Sequence, residues 1–287
     1  MPEILITGGA GSLGRRLAER LRDEGWGVRV LDLPGRDFSP FEGWARIHSA
    51  DILDRDRLQE AVDGVAWVYH LAAVLPPMSE EDPNETHRVN VEGTRLLLEV
   101  CRGQDPPPRV ALASSVSVYG DTSSLAGPVG PDHPVSPTDH YARSKVMAED
   151  LVRESGLPHV ILRISAVAVA AFLDPPDPWP FQPHQRIELV ALEDLVSALG
   201  RLPKKEEALG TTLLLAGGSS WQVTGLEYVR RWGEVMEVPL EEMNFQERPG
   251  WLHWYDTRRS QDLLAYQQTP LESFLARLRE AVQEALA

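Results

Sequence analysis

Residues 3–14 read Glu-Ile-Leu-Ile-Thr-Gly-Gly-Ala-Gly-Ser-Leu-Gly. A short apolar run, fit for a buried strand, ends in Gly8, Gly11 and Gly14, and a helical pattern starts directly behind them. Each glycine has its own task. Gly8 permits a tight turn, Gly11 removes a side chain where a pyrophosphate would approach the backbone, and Gly14 lets the helix pack closely on the sheet. The helix start, with Ser12 and Leu13, offers unpaired amides to phosphate oxygens. Loops collect glycine anyway, so the triplet gains weight from its setting: a strand before, a helix after and an acid further on. That acid is Asp32, at the end of Val28-Arg-Val-Leu-Asp32. A carboxylate there accepts hydrogen bonds from both adenosine ribose hydroxyls and repels the extra phosphate of NADP, so NAD is the expected cofactor. Arg36, four residues on, could partly offset that repulsion, and an aspartate that merely caps a turn is the alternative reading.

Outward from this signature, apolar runs at 3–7, 27–32, 45–49, 66–71, 109–114 and 159–164 alternate with helical patterns at 12–24, 54–62, 84–102 and 139–154. The runs read as strands covered on two faces. Strand alternating with helix implies an α/β, Rossmann-type doubly wound parallel sheet with right-handed crossovers. The expected division is a cofactor-binding domain over residues 1–165 and a small α+β substrate lobe over 166–287, some of whose segments return to the sheet. In the second part, short strands are expected near 186–190 and 211–215, and helices near 193–200, 224–236 and 270–285. Residues 172–185 hold five prolines in fourteen positions and can be neither helix nor central strand.

The 287 residues carry 28 Lys and Arg against 43 Asp and Glu, a net charge of −15. Such a chain repels nucleic-acid phosphates and anionic membranes. Cys101 is the single cysteine, so no internal disulfide can form, as suits a reducing cytoplasm. The chain opens on the strand-like Ile4-Leu-Ile6, so no signal peptide is expected, and no apolar run approaches a membrane span. No metal-ligand pattern stands out.

Chemistry is carried by two further stretches. Tyr141-Ala-Arg-Ser-Lys145 opens the helical pattern at 139–154, and its spacing puts both end residues on one helix face. A phenol has an ordinary pKa of about 10, and a neighbouring ammonium favours its ionised form. Residues 109–120 form a strand-like run that ends in Ser114 and Ser115, where a doubly wound sheet lines its crevice. Ser115 is placed to donate to the oxygen that Tyr141 protonates or deprotonates. Taken alone, the Tyr–Lys pair is a common helix-surface pattern and the serines are ordinary strand-end turn formers.

Together, and in order, these motifs resemble the extended short-chain dehydrogenases/reductases of the NAD-dependent epimerase/dehydratase family. The matching stretches are Thr7-Gly-Gly-Ala-Gly-Ser-Leu-Gly14, Asp32, Asp51-Ile52, His70-Leu-Ala-Ala73, Val89-Asn-Val-Glu-Gly-Thr94, Ser114-Ser-Val-Ser-Val-Tyr-Gly120, Tyr141 to Lys145, Leu192-Glu-Asp-Leu195 and Asp256 to Leu264. The resemblance implies that Gly8, Gly11, Ser12, Leu13 and Gly14 hold the pyrophosphate and Asp32 the adenosine ribose. It implies that Asp51 and Ile52 flank the adenine and that Leu71, Ala72 and Ala73 line the cofactor path. Ser115 matches the catalytic hydroxyl, Tyr141 the acid/base, and Lys145 its activator and a ribose ligand. Asn90 is left between a supporting role at the site and helix packing.

The sequence departs from the family pattern at three places. Val116 and Ser117 stand where members that eliminate water resemble Asp-Glu, so sugar dehydration is not expected. Leu162-Arg-Ile-Ser-Ala-Val167 lacks the proline and the diphosphate-gripping asparagine of many members. The stretch between Arg163 and Arg186 is short, as in compact members such as uronate dehydrogenases, which points away from a nucleotide sugar and toward a smaller polyol, sugar acid or ketone. The expected activity is NAD-dependent hydride transfer at a carbinol or ketone carbon. A nucleotide-sugar epimerase that retains NAD and a non-catalytic NAD-binding sensor are the rivals. Trp179, in the proline-rich loop, is a candidate substrate contact, with core packing the commoner role of a tryptophan. Arg186, Arg248 and Arg258 are weaker candidates to grip a carboxylate. A homodimer is expected through helices 84–102 and 139–154, on their apolar content.

Overall fold

A computed structural model describes residues 1–287. The alternating runs form a seven-stranded sheet of β1 (Glu3–Thr7), β2 (Gly27–Asp32), β3 (Arg46–Ser49), β4 (Trp67–His70), β5 (Arg109–Ser115), β6 (His159–Ile164) and β7 (Thr211–Leu215). Their order is β7-β6-β5-β4-β1-β2-β3. All pairings from β3 through β5 are parallel. The order reverses between β1 and β4, the switch point at which such sheets open a crevice. The glycine-rich turn leaves β1 at that point and runs straight into α1 (Ser12–Asp23).

The strands are apolar because helices cover them. Leu5, Leu31, Val68, Val110 and Ile161 from the sheet pack with residues of α2 (Arg55–Val62), α3 (Gly93–Arg102) and α4 (His140–Glu154) in one cluster. β3 is the exception to the expected two-sided burial. It is the edge strand, and Arg46, Ile47 and Ser49 are exposed. Cys101 lies buried on α3, and burial pushes its thiol up to about 12, so it stays an unreactive thiol.

The stretch expected as one helix over 84–102 is interrupted. A short helix, Pro83–His87, passes into a π-helical turn at Arg88–Glu92 before α3 begins. The turn places Asn90 in the interior, where its side chain bonds the backbone of Val74. Wide turns of this kind recur where a helix must present a residue that a regular winding would misplace.

The chain divides into two compact units. The first holds residues 1–115, 137–163 and 199–213, and the second holds 116–136, 164–198 and 214–287. Helix α5 (Leu192–Arg201) begins in the second unit and its last residues belong to the first, while α6 (Gly225–Met236) and α7 (Leu271–Leu286) lie in the second; all follow near their expected positions, with an additional short helix at Arg258–Leu264. Two small two-stranded pairings join Val223–Thr224 to Arg186–Ile187 and Val167–Ala168 to Val190–Ala191. Most of the tryptophans of the second half serve the second unit's core. Trp179 is only 6% exposed, and its ring meets Phe181, Tyr228 and Trp232 at 5.4–5.9 Å. The core packing of this ring replaces the substrate contact considered for it. Arg186 is likewise committed, donating to the carbonyls of Leu125 and Ala126 and lying over the Trp254 ring. Glu188 is fully buried and accepts from Gly218 N, Gln222 Nε2 and Tyr255 N, tying three segments together. Burial pushes its carboxyl up to about 7 against the pull of those three donors.

The tight approach of α1 to β1 is enforced by Gly14. A Cβ there would sit 2.5 Å from the Gly9 carbonyl oxygen and 2.6 Å from its Cα. Gly14→Ala should therefore lower the unfolding free energy by about 1–3 kcal/mol in a urea titration, the usual cost of overpacking. Gly127→Ala, where a new Cβ meets nothing within 4 Å, should leave the midpoint unchanged.

Candidate active site

The site is built where β5 ends against the flank of α4. Asp139 caps α4 by accepting from Ala142 N at 2.6 Å. Glu80, from the short helix Met78–Glu81, adds a second clamp, accepting from His140 N at 3.0 Å and Tyr141 N at 2.9 Å. The first turn of α4, which carries Tyr141, is thereby held by two carboxylates at the end where unpaired N–H groups gather.

Three consecutive β5 residues bind three successive turns of α4. The carbonyl oxygen of Ala113 accepts from Lys145 Nζ at 2.8 Å. Ser114 Oγ donates to Glu149 Oε1 at 2.6 Å. Ser115 forms a side-chain hydrogen bond with Tyr141. Ser115, Tyr141 and Lys145, expected together from the sequence, are thus brought together, with Nζ 5.5 Å from the Tyr141 ring centre. Lys145 is 4% exposed. Burial pushes its pKa down to about 8, while the Glu149 charge acts upward. The phenol does not behave as expected from its neighbour. Burial first and the Asp139 charge second push Tyr141 well above the ordinary phenol value, and the Ser115 hydrogen bond is the opposing influence. Desolvation of the phenolate outweighs the help of the Ser115 hydroxyl here.

The glycine-rich turn has the close approaches expected of it. Gly8 has φ +69°, and a Cβ on it would lie 2.7 Å from Ala72 N. The backbone of Leu71 and Ala72 thus runs directly past the turn, with Leu71 N donating to Thr7 O. Gly11 caps α1 with no side-chain cap, and the first turn, Ser12 to Gly14, holds no acid, so no side chain caps its amides. Asp32 accepts Ala10 N on one oxygen at 2.9 Å and Leu33 N on the other at 2.8 Å. A carboxylate has about four acceptor positions, which leaves two for a pair of vicinal hydroxyls. Arg36 stands 3.7 Å from it and is largely exposed. Asp51 accepts Leu53 N and pairs with Arg88 at 3.6 Å, while Ile52 is buried against Gly93. The cradle of glycines, open amides and a half-satisfied carboxylate fits a dinucleotide. No cluster of His, Cys, Asp and Glu side chains is arranged to hold a metal ion.

Sequence reading did not foresee the polar chain that joins this cradle to Tyr141. Ala72 N donates to Thr7 Oγ1 at 3.3 Å, and Thr7 Oγ1 lies 2.8 Å from His70 Nδ1. His70 Nε2 lies 2.8 Å from Thr94 Oγ1, which donates to Asn90 O. Thr94 spends its proton on that carbonyl, so His70 must donate from Nε2 and accept from Thr7 at Nδ1. Asn90 Nδ2 donates to Ser144 Oγ, which donates to Tyr141 O. Asn90 therefore both packs the helix and supports the site. Its partner Ser144, 54 residues away, is not legible in the sequence.

The family model described as the NAD dependent epimerase/dehydratase family matches residues 4–174. A D-erythronate dehydrogenase from Cupriavidus necator is 34% identical over 181 residues, which is 58% of this chain and 55% of that protein. The chain spans about half the length of the curated relatives it matches. Among solved structures, MoeE5 in complex with UDP-glucuronic acid and NAD is 25% identical, with a TM-score of 0.83 over 99% of both chains. The UDP-glucose 4-epimerase of Thermotoga maritima with UDP-glucose shares the fold, at 20% identity and a TM-score of 0.84 over 99% of this chain and all of that one.

His70 generates a test of the polar chain. Burial, with the Lys145 charge adding to it, lowers its pKa from 6.5 to about 3, so the folded protein holds it neutral. Its contribution to stability is present above pH 6.5 and is lost as pH falls toward 3. The urea-unfolding free energy should fall across that window. His70→Asn should remove one proton's worth of the slope.

Proposed function

The chain belongs to the NAD-dependent epimerase/dehydratase family, and on that premise we propose that it is an NAD-dependent oxidoreductase acting at a carbinol or ketone carbon of a sugar-like or other small hydroxylated substrate. The observation that carries this reading is the Ser115–Tyr141 hydrogen bond with Lys145 one helical turn further on. Gly8, Gly11, Ser12, Leu13 and Gly14 hold the pyrophosphate, and Asp32 holds the adenosine ribose. Asp51 and Ile52 are assigned to the adenine end, and Leu71, Ala72 and Ala73 to the nicotinamide path. Bound NAD supplies the hydride acceptor and donor.

The residues of the chain supply proton control. At neutral pH the raised Tyr141 keeps its proton, and Lys145, below its pKa of about 8, keeps its charge. This state is ready to give a proton to a carbonyl oxygen. In the oxidising direction the phenol takes the hydroxyl proton only after shedding its own, and Ser115 holds the reacting oxygen in line. Val116 and Ser117 offer no carboxylic acid for elimination, which favours a dehydrogenase over a dehydratase. A relative named as a D-erythronate dehydrogenase supports the same choice.

An epimerase that keeps its NAD is the second reading, favoured by a relative named as a UDP-glucose 4-epimerase, 34% identical over 183 residues. The second unit is assigned to substrate selection. No helix is long and apolar enough to cross a membrane, and a cytoplasmic homodimer is part of the proposal. The observation behind the dimer is the apolar flank of α3 and α4, where Leu96 and Leu151 are partly buried and Met147 is 42% exposed.

Incubation with NAD and a panel of polyols, sugar acids and nucleotide sugars, read by NADH absorbance and product NMR, separates net oxidation from isomerisation. Tyr141→Phe should abolish turnover on whichever substrate responds, by a factor of roughly 100 or more, while NAD affinity stays within about twofold. A variant that remains active removes Tyr141 as the acid/base. Light scattering should give a dimer mass, and a monomer refutes that part of the proposal.

A further inference from the structure

The buried carboxylate of Glu149 is used by nothing in the proposed chemistry, yet the protein invests four hydrogen bonds in it. Ser114 Oγ donates to Oε1 at 2.6 Å and Arg163 Nε to the same oxygen at 3.0 Å. Arg163 Nη2 and Arg153 Nη2 each donate to Oε2 at 2.7 Å. Glu149 is 0% exposed and Arg163 4%. A buried carboxyl left alone takes up a proton; burial pushes this one upward, but the two guanidinium groups and Ser114 outweigh it and keep it ionised. The helix register then gives the charge a direction. Glu149 stands four residues beyond Lys145, as Lys145 stands four beyond Tyr141, so the three share one face of α4.

Lys145 is poorly provided for by comparison. Its one hydrogen bond in the protein is to the Ala113 carbonyl. The titratable groups that face it are Tyr141 and Glu149 on its own helix and His70 at the end of β4, and His70 and Tyr141 are both held neutral by burial. Glu149 is therefore the one anion acting on it. We propose that Glu149 is a positioning residue for the catalytic lysine: from one turn beyond, clamped by Ser114, Arg153 and Arg163, its carboxylate holds Lys145 in its charged form. That Lys145 is catalytic rests on the functional reading above, but the coupling itself belongs to the folded chain. It also explains why β5 grips α4 at three successive residues. The same strand end that orders Tyr141 and Lys145 orders the counter-charge of Lys145.

The composition makes the coupling directly measurable. The chain has only three lysines, Lys145, Lys204 and Lys205. Carbon-13 labelling at the lysine ε-position gives three NMR signals, and the Lys145 signal is the one lost in Lys145→Met. Titrated in the full chain, Lys145 should have the lowest midpoint of the three. Glu149→Gln should move that midpoint down by about one further pH unit and leave Lys204 and Lys205 in place. Glu149→Asp, which keeps the charge, should restore the wild-type value to within a few tenths of a unit.

A Glu149→Gln protein that loses stability but shows an unmoved Lys145 midpoint makes Glu149 a purely structural residue and overturns the proposal. Should that variant fail to fold, Glu149→Gln/Arg163→Met leaves no lone buried ion. A smaller downward move is expected there, and an unmoved or raised midpoint is equally fatal. The titration needs no substrate, so its outcome is separate from that of the Tyr141→Phe assay. A lysine that moves as expected in an enzyme indifferent to Tyr141 would refute the functional reading and leave the coupling intact.

Discussion

The junction between the last residues of β5 and one face of α4 is the constraint on which the candidate site depends. A strand and a helix are each stiff, and neither alone can set a phenol, an ammonium and a hydroxyl at fixed distances. Here the strand end supplies a carbonyl and two hydroxyls in sequence, and the helix supplies Lys145, Glu149 and Tyr141 at intervals of one turn. Neighbouring strand residues face opposite sides. Ser114 and Ser115 both reach α4 because the strand stops there and the chain winds into the tight turn Val116–Tyr119. Preorganisation of this kind counts in catalysis because a reacting proton has little tolerance for misplacement.

A second line of hydrogen bonds makes the first useful. From Ala72 through Thr7, His70, Thr94, Asn90 and Ser144 to the backbone of Tyr141, each donor finds an acceptor. A buried network that is fully satisfied is rigid, whereas a partly satisfied one destabilises. The π turn at Arg88–Glu92 serves this line by bringing Asn90 inward. Burial keeps His70 neutral, which lets it donate at one nitrogen and accept at the other. The glycine-rich cradle and Tyr141 are thereby held in one frame within the first unit.

The sequence was most legible where the physics is local. The glycine spacing, the runs of buried strands and the Tyr141–Lys145 interval depend on neighbours within a few residues, and their elements lie within one or two residues of where pattern places them. β3 was readable as a strand but not as an exposed edge, because edge position depends on the order of the other strands. The break in the helix over 84–102 escaped notice because Asn90 follows the helical pattern in sequence and breaks it only to meet Val74 and Ser144. Glu149 and Glu80 look like ordinary helix-surface acids; their partners are 35 and 61 residues away. The raised pKa of the Tyr141 phenol is not legible in the sequence for a related reason. Spacing shows which charge is near, whereas burial, which decides the sign, is a property of the assembled fold.

A crystal structure of the full chain with NAD bound tests whether the glycine-rich turn and the Tyr141–Lys145 pair serve one dinucleotide. The pyrophosphate should lie on the amides of Gly11 to Leu13, a ribose on Asp32, and the nicotinamide ring beside the Tyr141 oxygen with its ribose hydroxyl on Lys145 Nζ. A dinucleotide seated on the glycine-rich turn but carrying its nicotinamide away from Tyr141 and Lys145 would contradict that shared role.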